Sequence, residues 1–215
     1  FKRHHLRGVG LKQFRLTEAT TTFITVFTLL EPEAVDSGFY SSKHWNPLPE
    51  LLLKEEVKTN WLHIYVRSRY VPDSKKACCL LHRLNQTGNG FQNHATLDSF
   101  LCWRVVMQSV KDWVKLAIRM KGMKIHASKL NHSLSYLWPF LQNDWNESIF
   151  GPTAILNILY LNLFESAIST LPAQKACFYL QENQGWENAF LHTWRQSQQG
   201  KLIGVPHSTI RYWDL

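Results

Sequence analysis

The sequence lacks an apolar run long enough to span a bilayer, a secretory signal and any low-complexity tract. Its most apolar stretch, residues 155–168, is interrupted by Asn157, Asn162 and Glu165, so it does not predict a transmembrane helix. The chain has 215 residues, of which 45% are hydrophobic. This length and composition predict a globular protein with a sizeable core, organised as one domain or as one domain with part of another.

Motifs typical of common catalytic sites are also missing. The sequence contains no P-loop and no nucleophile elbow, and Gly8 and Gly10 lack the preceding strand and the third glycine of a dinucleotide-binding loop. The histidines show no ligand spacing, so we expect neither a metal nor another cofactor. The cysteines are Cys78, Cys79, Cys102 and Cys177. They lie in apolar segments without metal-ligand spacing, which predicts core residues in a reducing, cytoplasmic compartment.

Positive charge exceeds negative charge, with a formal net charge of +8 and a pI near 9.4. Such a balance favours polyanionic partners, namely nucleic acid, an anionic membrane surface, or substrates that carry phosphate or carboxylate groups. The basic residues are spread along the chain and form no uninterrupted tract of the kind found in nucleic-acid-binding arms. An ordinary solvated surface is therefore the simplest interpretation, and we expect no nucleic acid among the partners.

Two segments of the N-terminal half predict strands. Residues 21–27 alternate apolar and polar side chains, which favours a strand, although a helix is the open alternative. The rest of the N-terminal segment, residues 1–58, is expected to be irregular. Residues 60–66 are rich in aromatic and β-branched side chains, and they open a strand–helix unit over residues 59–90. The helix of this unit is expected to begin near Asp73, a residue type that caps helices.

Residues 91–170 have the pattern of a helical insertion. Apolar side chains recur at helical spacing over residues 95–120, and a second, shorter helix is expected over residues 134–141. A third helix begins with a proline at 152 and runs to about residue 169. Because this third helix is apolar on nearly every face, we expect it to be enclosed by the core.

The last segment, residues 171–215, has a strand–helix–strand pattern. Residues 176–180 and 202–205 are short runs that are apolar on both faces, and residues 186–198 between them have an amphipathic helical pattern. This arrangement is typical of parallel strands in a covered sheet. Together the segments predict an α/β fold, with a Rossmann-like parallel sheet and a large helical insertion.

Polar residues follow each of these two C-terminal strands. Glu182 comes after the first strand, and His207 comes after the second. Because ligands bind at the edge formed by the carboxyl ends of parallel strands, we expect Glu182 and His207 to line one crevice. A carboxylate or an imidazole there can take a proton from an attacking hydroxyl. This chemistry makes Glu182 the first candidate for a general base and His207 a base or an anion contact.

The residues around Glu182 admit two interpretations. The helix that begins after Gln184 offers backbone N–H groups to a phosphate or a carboxylate. Alternatively, Glu187 is a first-turn residue that interacts favourably with the helix dipole, and Asn183 is a helix cap. A histidine after a strand is more often structural than catalytic, but several polar groups that converge on one strand edge favour a functional site.

The same residues carry a resemblance to bacterial surface-carbohydrate biosynthesis proteins, which are glycosyltransferases from O-antigen and capsule gene regions. The resemblance covers roughly residues 40–215 and is most specific over residues 179–215. The stretches that carry it are residues 179–187, 194–195, 200–204 and 207–215, with Phe150-Gly151, residues 162–165 and, weakly, residues 60–66.

This resemblance implies a cytoplasmic enzyme that transfers a sugar from a nucleotide-activated donor to a lipid-linked glycan or an oligosaccharide at the inner membrane face. Related transferases have two Rossmann-like domains in the GT-B arrangement. The chain would then be the acceptor-side domain, with a donor domain beyond Leu215, and peripheral contact with an anionic membrane is a further expectation. Glu182 and His207 would be catalytic, although many relatives have glycine at the position of Ser208. The implied substrate-binding residues are Asn183, Gln184, Glu187, Ser208, Thr209 and Arg211, the last as an anion clamp.

Two other functional classes stay open. One is a non-catalytic module that binds carbohydrate or a partner protein within a polysaccharide assembly complex. The other, based on charge alone, is a nucleic-acid-binding protein. Glycan binding that the substitution Glu182→Gln leaves unchanged would favour the first, and binding that weakens steeply with salt and ignores sugars would favour the second.

Overall fold

The computed structural model describes residues 3–27, 30–121 and 132–206. The chain divides into two compact units. The α/β unit comprises residues 1–101 and 163–215, and the helical unit comprises residues 102–162. None of the helices in the described ranges is long and apolar enough to cross a membrane.

Five strands and eight α-helices follow one another in the described part of the chain. In chain order they are α1 (Leu11–Arg15), β1 (Thr21–Val26), α2 (Pro32–Ser37), α3 (Leu48–Lys54), β2 (Thr59–Ile64), α4 (Ser74–Thr87), β3 (Gln92–Thr96), α5 (Trp103–Lys121), α6 (His132–Phe150), α7 (Pro152–Ile168), β4 (Ala176–Gln181), α8 (Gly185–Gln196) and β5 (Lys201–Pro206). Short 3-10 helices lie at His4–Leu6 and Leu97–Phe100. One or more helices separate each strand from the next, as in α/β folds.

The strands form one all-parallel sheet in the order β3-β2-β1-β4-β5. β1 is central, and β3 and β5 are the edge strands. Such a sheet with flanking helices is consistent with a Rossmann-like fold, so the predicted α/β class is confirmed. The predicted strands correspond to β1, β2, β4 and β5. The predicted start of α4 is also confirmed, because the side chain of Asp73 accepts a hydrogen bond from the N–H of Lys76 at 2.8 Å.

Aromatic side chains in register across three strands form the centre of the core. Phe23 of β1 pairs with Trp61 of β2 and with Phe178 of β4, and its ring stacks on theirs with centroid distances of 4.2 Å and 5.2 Å. Trp45, from the connection between β1 and β2, meets Phe23 edge-on at 5.2 Å. Cross-strand aromatic pairs stabilise a sheet, and a slip of one residue would turn them to the other face. This row therefore fixes the relative positions of β1 and β4.

The amino-terminal edge of the sheet carries a buried amide network. Oδ1 of Asn60 accepts hydrogen bonds from Oγ1 of Thr17 at 2.8 Å and from Nδ2 of Asn93 at 3.2 Å. Oγ1 of Thr22 donates to Oε1 of Gln174 at 2.8 Å. These bonds satisfy polar groups whose burial would otherwise be unfavourable. The polar residues at the strand starts therefore have a structural role.

The region of β3 and the start of α5 differ from the sequence prediction. Residues 95 and 96, expected to open a long helix, belong to β3, and α5 begins only at Trp103. β3 has no apolar alternation, yet all five of its residues are buried. The side chain of Asn85 holds this edge strand: its Oδ1 accepts from the N–H of His94 at 2.7 Å, and its Nδ2 donates to the carbonyl of His94 at 2.8 Å. A side-chain amide thus takes the place of a neighbouring strand.

The helices α6 and α7 also differ in part from the prediction. α6 is longer than expected, at nineteen residues. α7 closely matches the predicted bounds, but Ile155 and Leu156 near its start are 47% and 50% exposed. Near its end, Phe164 is fully buried and packs against Phe190 of α8, with ring centroids 5.4 Å apart. The prediction of a helix enclosed along its whole length is therefore wrong for the first half of α7.

Candidate functional site

The carboxyl ends of the strands form the edge at which Glu182 lies. β4 ends at Gln181, β5 ends at Pro206, and these two residues are paired in register. The expected parallel and adjacent arrangement of the two strands is therefore confirmed. Since neighbouring strands are about 4.8 Å apart, Glu182 leaves the sheet directly beside the end of β5.

The same edge contains the point at which the strand order reverses. After β1 the chain continues to β2 on one side, and after β4 it continues to β5 on the other. β1 and β4 are neighbours, in register from Thr21 with Ala176 to Ile24 with Tyr179. In open parallel sheets, ligands bind in the crevice at such a switch point. The sequence predicts only the β5 side of the Glu182 site, and the structure adds the switch point on the β1 side.

The turn that carries Glu182 is held by the carboxylate of Glu187. Oε1 of Glu187 accepts hydrogen bonds from the backbone N–H groups of Glu182, at 2.9 Å, and of Gln184, at 2.7 Å. Glu187 is only 4% exposed, whereas Glu182 is partly exposed. Asn183 between them has a left-handed conformation with φ of 57°, which asparagine adopts more readily than most residues. The turn thus encloses Glu187 and leaves Glu182 accessible to solvent.

Gln184 and Glu187 form a capping box at the start of α8. The side chain of Gln184 accepts a hydrogen bond from the backbone of Glu187, and the side chain of Glu187 accepts one from the backbone of Gln184. A capping box satisfies N–H groups that a helix start leaves without partners. Glu187 therefore has the first-turn role that the sequence left open, and the N-cap is Gln184 rather than Asn183. Burial within this capping box opposes the predicted substrate contact of Glu187, and the substrate-binding roles of Asn183 and Gln184 stay predictions.

The remaining predicted site residues lie outside the described residues. They are His207, Ser208, Thr209 and Arg211. Their approach to Glu182 stays a prediction. The described strand end that precedes them is Pro206, opposite Gln181.

Beside this turn, side chains of β4 cover a glycine of β5. A Cβ atom at Gly204 would lie 2.9 Å from both Oη of Tyr179 and Oε1 of Gln181, so the close approach favours glycine. The ring of Tyr179 packs edge-on against Phe190, with centroids 5.5 Å apart. Burial raises the pKa of the Tyr179 phenol, and the nearby Glu187 carboxylate raises it further. The phenol therefore stays neutral and can donate a hydrogen bond at pH 7.

Comparison of the chain with models of protein families, with curated proteins and with solved structures finds no match. The function proposed for this chain therefore rests on the residues that carry the resemblance and on the geometry of the Glu182 turn.

The structure also brings together two histidines that are far apart in the sequence. Nε2 of His63 on β2 and Nδ1 of His94 on β3 are 3.0 Å apart, and both rings are fully buried. Tyr40 packs against both rings, with centroid distances of 5.4 Å and 4.9 Å. Burial lowers the pKa of His63 to about 3 and also lowers the pKa of His94. The pair is therefore neutral and enclosed, and the sequence gives no signal of it because β3 is not predicted.

Two cavities lined by described residues lie away from the Glu182 turn. One, of about 420 Å³, is at the amino-terminal edge of the sheet, where Lys12, Lys58 and Asn93 are among its lining residues. The other, of about 610 Å³, is formed by α3 and the segment before it, including Tyr40 and Asn46. Ligands of open parallel sheets bind at the carboxyl edge, so the first cavity is at the opposite edge from the expected one.

Among the described residues, no group of three or more histidine, cysteine, aspartate or glutamate side chains could hold a metal ion. The four cysteines are free. Cys177 is buried, and burial raises the pKa of its thiol. The expectation that all four are core residues is wrong for Cys79, which is exposed.

Proposed function

We propose that this chain is the acceptor-side domain of a glycosyltransferase that moves a sugar from a nucleotide-activated donor to a growing surface glycan. The observation that carries the proposal is the position of Glu182, a partly exposed acidic residue at the carboxyl end of β4 and beside the β1–β4 switch point. Open parallel sheets bind their ligands at this place. The resemblance of residues 179–215 to surface-carbohydrate glycosyltransferases supports the class of reaction.

In the proposed reaction Glu182 is the general base. Its carboxylate takes the proton of an acceptor hydroxyl while the hydroxyl oxygen bonds to the anomeric carbon of the donor sugar. The bond from that carbon to the donor phosphate breaks, and the nucleotide leaves with the electron pair. The two backbone hydrogen bonds that the Glu187 carboxylate accepts support this role, because they fix the backbone on both sides of Asn183 and limit the positions open to the carboxylate of Glu182.

The other parts of the proposal concern the substrates and their setting. The residues proposed to contact the substrates are Asn183, Gln184, Ser208, Thr209 and Arg211. Glu187 is buried in the capping box, and its proposed part is to hold the turn. His207 is proposed as a second base or as a contact to phosphate or carboxylate. We also propose a GT-B arrangement with a donor domain beyond Leu215, a lipid-linked or oligosaccharide acceptor, and a cytoplasmic location at the inner membrane face with peripheral contact to anionic lipid. No metal or other cofactor takes part in the proposed reaction.

The proposal is tested by a transfer assay on the full-length protein, with a panel of nucleotide sugars and with lipid-linked and oligosaccharide acceptors. We expect one donor to give nucleotide release that depends on the acceptor, together with a lengthened glycan. If no donor gives a product, while glycan binds equally to the parent and to Glu182→Gln, the chain is instead a non-catalytic carbohydrate-binding module.

A further inference from the structure

One face of α5, in the helical unit, is both apolar and exposed. Its residues recur at spacings of four, three, four and four, which places them on one side of an α-helix. They are Trp103, Met107, Val110, Val114 and Ile118, with exposed fractions between 41% and 70%. This apolar stripe covers more than four helical turns, or about 22 Å along the helix axis.

Basic side chains form a second row beside the apolar stripe. Four exposed cations each follow directly after a residue of the stripe, and they are Arg104, Lys111, Lys115 and Arg119. Because one residue turns an α-helix by about 100°, these cations lie along one flank of the stripe. Lys121 adds a fifth exposed cation at the end of the helix.

The acidic residue of α5 lies off this surface. Asp112 accepts hydrogen bonds from Nε2 of Gln108, at 2.9 Å and 3.0 Å, and from Nδ2 of Asn162 at 3.2 Å. The buried residues of α5 are Val105 and Ser109, on the side opposite the stripe. The exposed face of α5 therefore carries five cations and no carboxylate of its own helix.

The helical unit as a whole exposes much apolar surface. Twelve of the nineteen large apolar side chains that are exposed in the described part of the chain belong to it. Besides the α5 stripe, α6 exposes Tyr136, Leu137, Phe140 and Leu141, of which Phe140 is 79% exposed. Large exposed apolar patches in proteins mark surfaces that contact another molecule or a membrane.

We infer that the apolar stripe and its basic flank bind an anionic lipid surface, with α5 lying in the plane of the headgroups. The cations complement the negative headgroups, and the apolar side chains can insert at the boundary with the acyl chains. Trp103 suits this boundary because an indole has both an apolar body and a polar N–H. This inference rests on the lipid contact in the proposed function and assigns that contact to the helical unit. Its test measures vesicle binding, so its failure is distinguishable from a failure of the proposed sugar transfer.

Charge and polarity argue against the other occupants of this face. A second copy of the chain would bring a second row of cations to the first, and their repulsion would oppose pairing. A nucleic acid would neutralise the cations but would leave the apolar stripe in water. An anionic bilayer can neutralise the cations of the flank and remove the apolar stripe from water at the same time.

The test is co-flotation of the full chain with vesicles of phosphatidylcholine alone, or of phosphatidylcholine and phosphatidylglycerol in equal parts. We expect binding to the anionic vesicles to be at least about tenfold stronger and to weaken with salt. Val114→Asp places a charge within the stripe, and Lys111→Glu combined with Lys115→Glu reverses two charges of the flank. Each change is expected to weaken binding by about tenfold or more. The changed positions are exposed, so circular dichroism should match that of the parent.

Matched controls make the same chemical changes elsewhere on the surface. Leu51→Asp on α3, and Lys75→Glu with Lys76→Glu on α4, alter exposed residues of the α/β unit and should bind vesicles like the parent. The emission assigned to Trp103, taken as the difference between the parent and Trp103→Phe, should shift to shorter wavelength with anionic vesicles. Unchanged vesicle binding by the α5 variants would overturn the inference. The inference would also be overturned if the chain bound no vesicles and instead formed an oligomer that Val114→Asp dissociates.

Discussion

A single carboxylate oxygen, Oε1 of Glu187, accepts the backbone N–H of Glu182 at 2.9 Å and thereby fixes the turn of the proposed base. The same oxygen accepts the N–H of Gln184 at 2.7 Å. Glu187→Ala removes the acceptor of both N–H groups and one half of the capping box. We expect the free energy of unfolding, measured with urea, to fall by about 1–3 kcal/mol.

The matched control for this change is Asn188→Ala, at the next and exposed position of α8. Its effect should stay within about 0.5 kcal/mol, as is usual for surface substitutions. If Glu187→Ala is as stable as this control, the two hydrogen bonds add no net stability and other contacts hold the turn.

The buried pair of His63 and His94 predicts a loss of stability in acid. Burial lowers the pKa of His63 from its ordinary value of 6.5 to about 3, and the pKa of His94 is lowered by burial and by His63. Between about pH 3 and pH 6.5, the histidines of the unfolded chain bind protons that the buried histidines of the folded chain do not. The stability is therefore fully present above about pH 6.5 and falls as the pH decreases towards about 3. Urea unfolding across this range should show a slope of about 1.4 kcal/mol per pH unit for each such proton.

His63→Gln separates this contribution from other titrations. The amide cannot take up a proton, so the slope should become shallower by about one proton. His192→Gln, at an exposed position of α8, is the control and should keep the parental slope. Identical slopes for His63→Gln and the parent would show that protonation of His63 does not drive acid unfolding.

Two glycines near β5 should differ in their tolerance of a methyl group. At Gly200 a Cβ would press on the carbonyl oxygens of Gln174 and Lys175, whereas at Gly204 it would meet the ends of two side chains. The backbone at Gly200 is also tied to Gln174 by a hydrogen bond of 3.0 Å from its N–H. We expect Gly200→Ala to lower the free energy of unfolding by about 3 kcal/mol and Gly204→Ala by about 1 kcal/mol, measured with urea. Equal losses would mean that the segment before β5 can move aside.

The sequence is sufficient to predict four of the five strands in the described residues, because β1, β2, β4 and β5 have apolar, aromatic or β-branched patterns of their own. β3 is different. Its buried residues Asn93 and His94 make hydrogen bonds to residues elsewhere in the chain, Asn93 to Asn60 and His94 to Asn85. A local pattern cannot show such partners, so a polar strand of this kind is not predicted.

The candidate site can be predicted from the sequence only in part. The end of β4 places Glu182 at the carboxyl edge, and the first-turn role of Glu187 is one of two interpretations open from the sequence. The switch point is not predictable, because it depends on β4 lying beside β1. The exposed first half of α7 is missed for a related reason: apolar residues on every face predict burial only where other elements cover them.

The turnover of Glu182→Gln in the full-length protein tests the central claim most directly. Glutamine keeps the shape of the side chain but cannot serve as a base, so donor binding measured by calorimetry should persist while turnover falls about a hundredfold or more. Glu55→Gln, at an exposed position after α3, is the matched control and should turn over like the parent. Sugar transfer by Glu182→Gln at the parental rate would contradict the assignment of Glu182 as the general base.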